Sequence, residues 1–195
     1  NAVALETAED RLDAATYTAV NPVKAALVER TDLWPGLNIL PSALGKTVKV
    51  KRPTKFFRAN GPLPDEVELR FTPPPGFEEL SLAQYQQLWM ERIEAAEAEG
   101  RQDVLASGRT FLGRRGVLRQ DRFASATSWE RRRTLKPRLK CRAKWLRIGA
   151  IKRLQRFYTD HREALKRFRD GARDVLFPAG TYWMRVHACV HCAPG

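Results

Sequence analysis

Two long runs of this chain, residues 81–106 and 143–170, repeat apolar residues at helical spacing, and the rest of the fold has to accommodate them. In the first, Leu82, Tyr85, Leu88, Trp89, Ile93 and Ala96 fall on one face. In the second, Trp145, Ile148, Ile151, Leu154, Phe157, Tyr158, Leu165 and Phe168 do the same. Side chains three and four apart line one side of an α-helix, so each run carries a stripe that needs cover. Ser81 is placed to cap the first run, Glu78 and Glu79 suit the positive end of its dipole, and Gly171 is placed to end the second. Gly100 is a candidate break. The simplest mutual burial is antiparallel, with residues 107–142 crossing between the two. It would bury Trp89, Trp145, Leu154 and Phe157, and set the acidic Glu91, Glu94, Glu97 and Glu99 beside the basic second helix.

The remaining segments predict small β elements, so the fold class is mainly α with minor β (α+β). Val48 and Val50 alternate with Lys49 and Lys51, and Val67, Leu69 and Phe71 alternate with Glu66, Glu68 and Arg70. Period two signals strands, and Asn60-Gly61-Pro62 lies between them, so a hairpin or two-stranded arm is expected. Pro73-Pro74-Pro75-Gly76 ends it as a linker. Pro35, Gly36, Pro41 and Gly45 mark residues 31–45 as loop and boundary. Residues 108–142 read as weakly structured, and the tail over 175–190 reads as two extended pieces around Pro178-Ala179-Gly180. At the other end, residues 4–28 read as a helix, an Asn-Pro break and a short second helix. Leu5, Leu12 and Val20 face inward there, with Glu6, Glu9, Asp10 and Asp13 outside.

Charge narrows the function. The 195 residues carry a net +13, and it is not spread evenly. Residues 109–169 hold 21 Lys+Arg against 4 Asp+Glu, a net +17, which leaves −4 for everything else. Concentrated basic charge is the footprint of a polyanion binder. Arg114, Arg115, Arg131, Arg132 and Arg133 on the central segment, and Lys152, Arg153 and Arg156 on the second helix, are candidate phosphate contacts, with Lys24 near the N-terminus. Phe111, Phe123 and Trp129 either offer stacking faces to unpaired bases or anchor a solvated loop. No window approaches a membrane-spanning length of apolar residues, so no membrane partner is expected. Three cysteines, Cys141, Cys189 and Cys192, fit a reducing cytoplasm better than a disulfide framework. His187, Cys189, His191 and Cys192 crowd the C-terminus and suggest zinc, but without the second Cys pair that makes such a reading strong. No phosphate-cradling glycine motif and no Gly-x-Ser-x-Gly is present.

Residues 17–27 read Tyr-Thr-Ala-Val-Asn-Pro-Val-Lys-Ala-Ala-Leu. On a helix Tyr17 and Asn21 share a face. Pro22 stops or kinks that helix, with Asn21 as a cap for the short second one. This stretch, continued by Leu27-Val28-Glu29-Arg30 and Asp32-Leu33-Trp34-Pro35, resembles the end of the catalytic domain of REP-associated tyrosine transposases, a group of single-tyrosine HUH enzymes. Phe111-Leu112-Gly113-Arg114-Arg115, Lys144-Trp145-Leu146-Arg147-Ile148 and Phe177-Pro178-Ala179-Gly180-Thr181-Tyr182-Trp183 resemble the long C-terminal extension found on one bacterial branch of that group.

The resemblance implies a chemistry. A tyrosine hydroxyl attacks a phosphodiester of single-stranded DNA, a 5′-phosphotyrosine forms and a 3′-hydroxyl leaves. A divalent metal, Mg2+ or Mn2+, is held by two histidines of a His-hydrophobic-His strand and a polar side chain one turn after the tyrosine. Carried over, Tyr17 is the nucleophile and Asn21 the third metal ligand. The histidine pair has no counterpart here, since His161, His187 and His191 are not spaced by a single residue. The chain is therefore expected to be the C-terminal piece of a longer protein or a truncated reading frame, inactive by itself. Residues 1–45 are expected to close an HUH catalytic domain. Residues 46–195 form a basic extension, of which 46–78 is hairpin and linker and 79–195 the two long helices with short strands. The implied partner is DNA, single-stranded or hairpin, with a homodimer and a nucleoid-associated cytoplasmic location as further expectations. The alternative is a non-catalytic, basic nucleic-acid-binding module.

Overall fold

The computed structural model describes residues 3–53, 56–58, 60–121, 123–125 and 138–194. It is mainly α with small β elements, as expected. The chain divides into two compact units: Thr7–Thr134, and Asn1–Glu6 together with Leu135–Gly195.

The first unit is built on two helices. α1 (Ala8–Lys24) starts at a capping box in which the Thr7 hydroxyl accepts from the Asp10 amide and the Asp10 carboxylate accepts from the Thr7 amide. Asp10 is consequently fully buried, not on the outer face. α1 also runs through Asn21 and Pro22 without a break, so Asn21 is an interior residue whose carbonyl accepts from the Ala25 amide. Pro22 costs the helix a single hydrogen bond one turn from its end, which tertiary packing offsets, because Pro22 and Val23 are both buried. The helix ends with Ala26 at φ 60, and the Leu27 amide donates back to the Pro22 carbonyl at 2.9 Å.

α2 (Leu82–Ala106) follows its expectation closely, with Ser81 and Gln84 forming a capping box. Its partner differs from the expectation. Tyr85, Trp89 and Ile93 pack with Leu12, Ala19, Val20 and Val23, so α1 covers this stripe. Gly100 does not break α2. It lies against the end of α1: a Cβ there would stand 3.2 Å from Lys24 Cγ and 3.6 Å from Val23 Cγ1. Around this pair run two 3-10 turns, Thr31–Leu33 and Pro41–Ala43, and a hairpin of β2 (Thr47–Lys51) and β3 (Glu66–Arg70). The hairpin is antiparallel with Val48 opposite Leu69 and Val50 opposite Val67, and every residue of both strands is exposed. α3 (Gly113–Arg119), a short helix, is docked through Leu112 and Gly113 amides that donate to the Ala26 and Leu27 carbonyls.

In the second unit, β1 (Ala4–Leu5) pairs in parallel with β4 (Leu139–Lys140). α4 (Lys144–Arg169) is the long basic helix, and Gly171 with φ 103 lets the chain turn away behind it. The core of this unit is small. Ala164, Val175, Phe177 and Val190 are buried, with Leu165, Phe168, Met184 and Ala188 against them. β5 (Leu176–Phe177) pairs in parallel with β6 (His191–Cys192). Between them residues 182–187 are not extended: they form α5 (Tyr182–His187). Along α4 only Ala150 and Ala164 are buried. Trp145 is 78% exposed, which corrects the expected burial of that ring, while Leu154 and Phe157 are half-buried.

Candidate nucleic-acid interface

Tyr17 and Asn21 stand one turn apart on the open side of α1, opposite the face that carries Leu12, Ala19 and Val23 into the core. Tyr17 is 59% exposed, and among the described residues its hydroxyl has no hydrogen-bond partner. A helix anchored by its apolar face holds this phenol and amide in fixed register while leaving both reachable by a large ligand. Asn21 offers one amide oxygen toward a cation. Among the described residues no group of three or more His, Cys, Asp or Glu is arranged to hold a metal ion.

Beyond Asn21 the motif turns inward. Lys24 pairs with Glu99 of α2 at 3.2 Å, so its ammonium already has an acidic neighbour. Arg30 and Asp32 form a two-pronged pair across the 3-10 turn, with Nε to Oδ1 at 2.9 Å. The hydrogen bonds from Arg30 hold the Asp32 carboxyl below its usual range. Trp34 lies over Gly36, where a Cβ would stand 2.6 Å from the indole nitrogen, so only glycine fits under the ring. Glu97, expected on the acidic outer half of α2, is instead buried beneath this turn. Its Oε1 accepts from the Thr31 amide at 2.7 Å and its Oε2 from Arg101 at 3.2 Å. Glu29, Asp32, Glu94, Glu97, Arg30 and Arg101 line a half-open cleft of about 600 Å³ here.

The candidate phosphate contacts fall into separate groups. Arg114 and Arg115 are exposed on α3. Arg131, Arg132 and Arg133 lie outside the described residues, as does Trp129. On α4, Lys152 and Arg156 share one exposed face and, among the described residues, have no ion-pair partner. Arg153 is paired with Glu6. The unit that contains α4 carries 15 Lys+Arg against 5 Asp+Glu. Among the aromatic candidates, Phe111 packs against the core, whereas Phe123 is 78% exposed. Tyr182 and Trp183 were not among the sequence-predicted candidates, because an extended tail would have pointed them to opposite sides. The signal was present in their adjacency to Arg185 and His187.

Cys189 is exposed, Cys192 lies in β6 with its Sγ 3.7 Å from the Thr181 carbonyl, and Cys141 is buried. Among the described residues no helix is long and apolar enough to cross a membrane. No family model, curated protein or solved structure matches the chain.

Proposed function

We propose that this chain is part of a single-tyrosine DNA transposase of the HUH type, in which Tyr17 is the nucleophile and the basic segments hold single-stranded or hairpin DNA. The observation that carries the reading is the Tyr17–Asn21 pair, an exposed phenol one turn before an exposed amide on a helix whose other face is buried. A rigid support and an open approach are what an attack on a bulky phosphodiester requires. In the step, the Tyr17 oxygen forms a bond to phosphorus and the bond from phosphorus to the 3′-oxygen breaks. The phenolic proton is lost, and a 3′-hydroxyl leaves once its oxygen is protonated. A Mg2+ or Mn2+ ion touched by Asn21 needs further ligands that the described residues do not supply.

A second reading, a non-catalytic nucleic-acid-binding module, is favoured by the net +17 of residues 109–169 and by Lys152 and Arg156, which have no ion-pair partner among the described residues. One experiment separates the two. Protein expressed from its whole reading frame is mixed with labelled hairpin DNA and examined for a denaturant-resistant covalent adduct. Wild type should form it, and Tyr17→Phe should bind the same DNA with unchanged affinity and form none. An adduct that persists in Tyr17→Phe removes the nucleophile assignment. Binding without any adduct in wild type leaves the second reading.

A further inference from the structure

The outer face of α5 carries two large rings that its small core does not use. Met184 and Ala188 turn inward against Phe177 and Val190, while Tyr182 is 66% and Trp183 65% exposed. Each ring has a nitrogen group beside it. The Arg185 guanidinium lies 4.9 Å from the Tyr182 ring centroid, and the His187 ring is 4.9 Å from that of Trp183. The platform is held in place from below. Thr181 is buried, its hydroxyl donates to the Pro178 carbonyl at 2.8 Å, and its own carbonyl accepts from the Arg185 amide at 3.2 Å. Trp145 repeats the arrangement at the start of α4, 78% exposed with the Lys144 ammonium 5.4 Å from its ring.

Exposed rings with basic side chains beside them, on a unit with 15 Lys+Arg against 5 Asp+Glu, ask for a ligand that offers both flat π faces and negative charge. Unpaired bases on a phosphate backbone offer both, whereas a duplex hides its base faces and an acidic protein has no need of the rings. The geometry points to the Tyr182–Trp183 face of α5, with Arg185 and His187, as a stacking site for the unpaired bases of a single-stranded nucleic acid. This deepens the proposed function and rests on its claim that the chain binds nucleic acid. The site uses base faces, so it would hold single strands of any sequence.

The test uses the full chain and three probes: a thymidine homo-oligomer, an abasic oligomer of the same length, and a duplex. Wild type should prefer the thymidine strand to the abasic one. Trp183→Leu keeps apolar bulk and removes the π system, so it should weaken thymidine binding about tenfold and leave the other two probes unchanged. Trp183→Phe should recover most of that loss, which a merely unfolded variant would not do. Equal losses on all three probes, or no loss on the thymidine strand, overturn the stacking site. If wild type binds every probe in a salt-dependent way and Trp183→Leu changes nothing, this inference alone fails. If wild type binds none of them, the proposed nucleic-acid function fails with it.

Discussion

Replacing Glu97 by alanine removes one carboxylate that fastens the turn at Thr31 to α2, and the cost can be worked out. The Thr31 amide donates to Glu97 Oε1 at 2.7 Å, with Thr31 6% and Glu97 8% exposed. A hydrogen bond to a charged acceptor contributes about 1.5–3 kcal/mol, and deletion leaves the buried N–H without a partner. The Arg101 contact is half-exposed and adds less than about 1 kcal/mol. Against this, the neighbouring cleft lets water reach the Thr31 amide once the side chain is gone, which trims the penalty. The net expectation for Glu97→Ala is about 2–3 kcal/mol off the stability of the Thr7–Thr134 unit. Glu97→Gln keeps an acceptor for Thr31 but sets an amide NH2 near Arg101, so about 1 kcal/mol is expected. Arg101→Ala should cost less than either. Urea unfolding followed by tryptophan fluorescence reads all three, and amide exchange at Thr31 should quicken in Glu97→Ala. An alanine variant within about 0.5 kcal/mol of wild type, the range of an ordinary surface substitution, would refute the argument. So would a glutamine variant less stable than the alanine one.

Two further outcomes concern the same interface. Burial pushes the Tyr85 phenol above its ordinary value, so folding favours the neutral form. That contribution is whole below about pH 10 and is lost as pH rises through the raised value. Alkaline unfolding should therefore begin later in Tyr85→Phe than in wild type, and identical alkaline midpoints would count against it. At Gly100, alanine gains up to about 1 kcal/mol of helix propensity and meets only the flexible Lys24 Cγ at 3.2 Å, so Gly100→Ala should be neutral to slightly stabilising. Gly100→Leu must displace Val23 and the Lys24 backbone and should cost about 1–3 kcal/mol. Equal urea midpoints for the two variants would show that α1 and α2 are not in close approach there.

The parts legible in sequence are those decided within a few residues. Ser81 with Gln84 announces the start of α2 because a cap needs only its own first turn. Gly171 comes directly after α4 because a left-handed residue there suits glycine. The two hairpin strands are announced by alternation over two five-residue runs. The shared exposed face of Tyr17 and Asn21 comes from helical spacing, and the uneven charge is a count. Tertiary structure decided the rest. Periodicity says that the stripe of Tyr85, Trp89 and Ile93 needs cover, but not which helix supplies it, and α1 does so. The same packing carries Pro22 inside a helix that local rules would end, since burying Pro22 and Val23 offsets one lost hydrogen bond. It also buries Glu97, which the sequence groups with the acidic Glu91, Glu94 and Glu99, and its carboxylate accepts from the Thr31 amide 66 positions away. Trp145, Tyr182 and Trp183 show the converse. The helical stripe predicts burial of Trp145, and a core as small as that of Ala164, Val175, Phe177 and Val190 leaves it outside, with Tyr182 and Trp183.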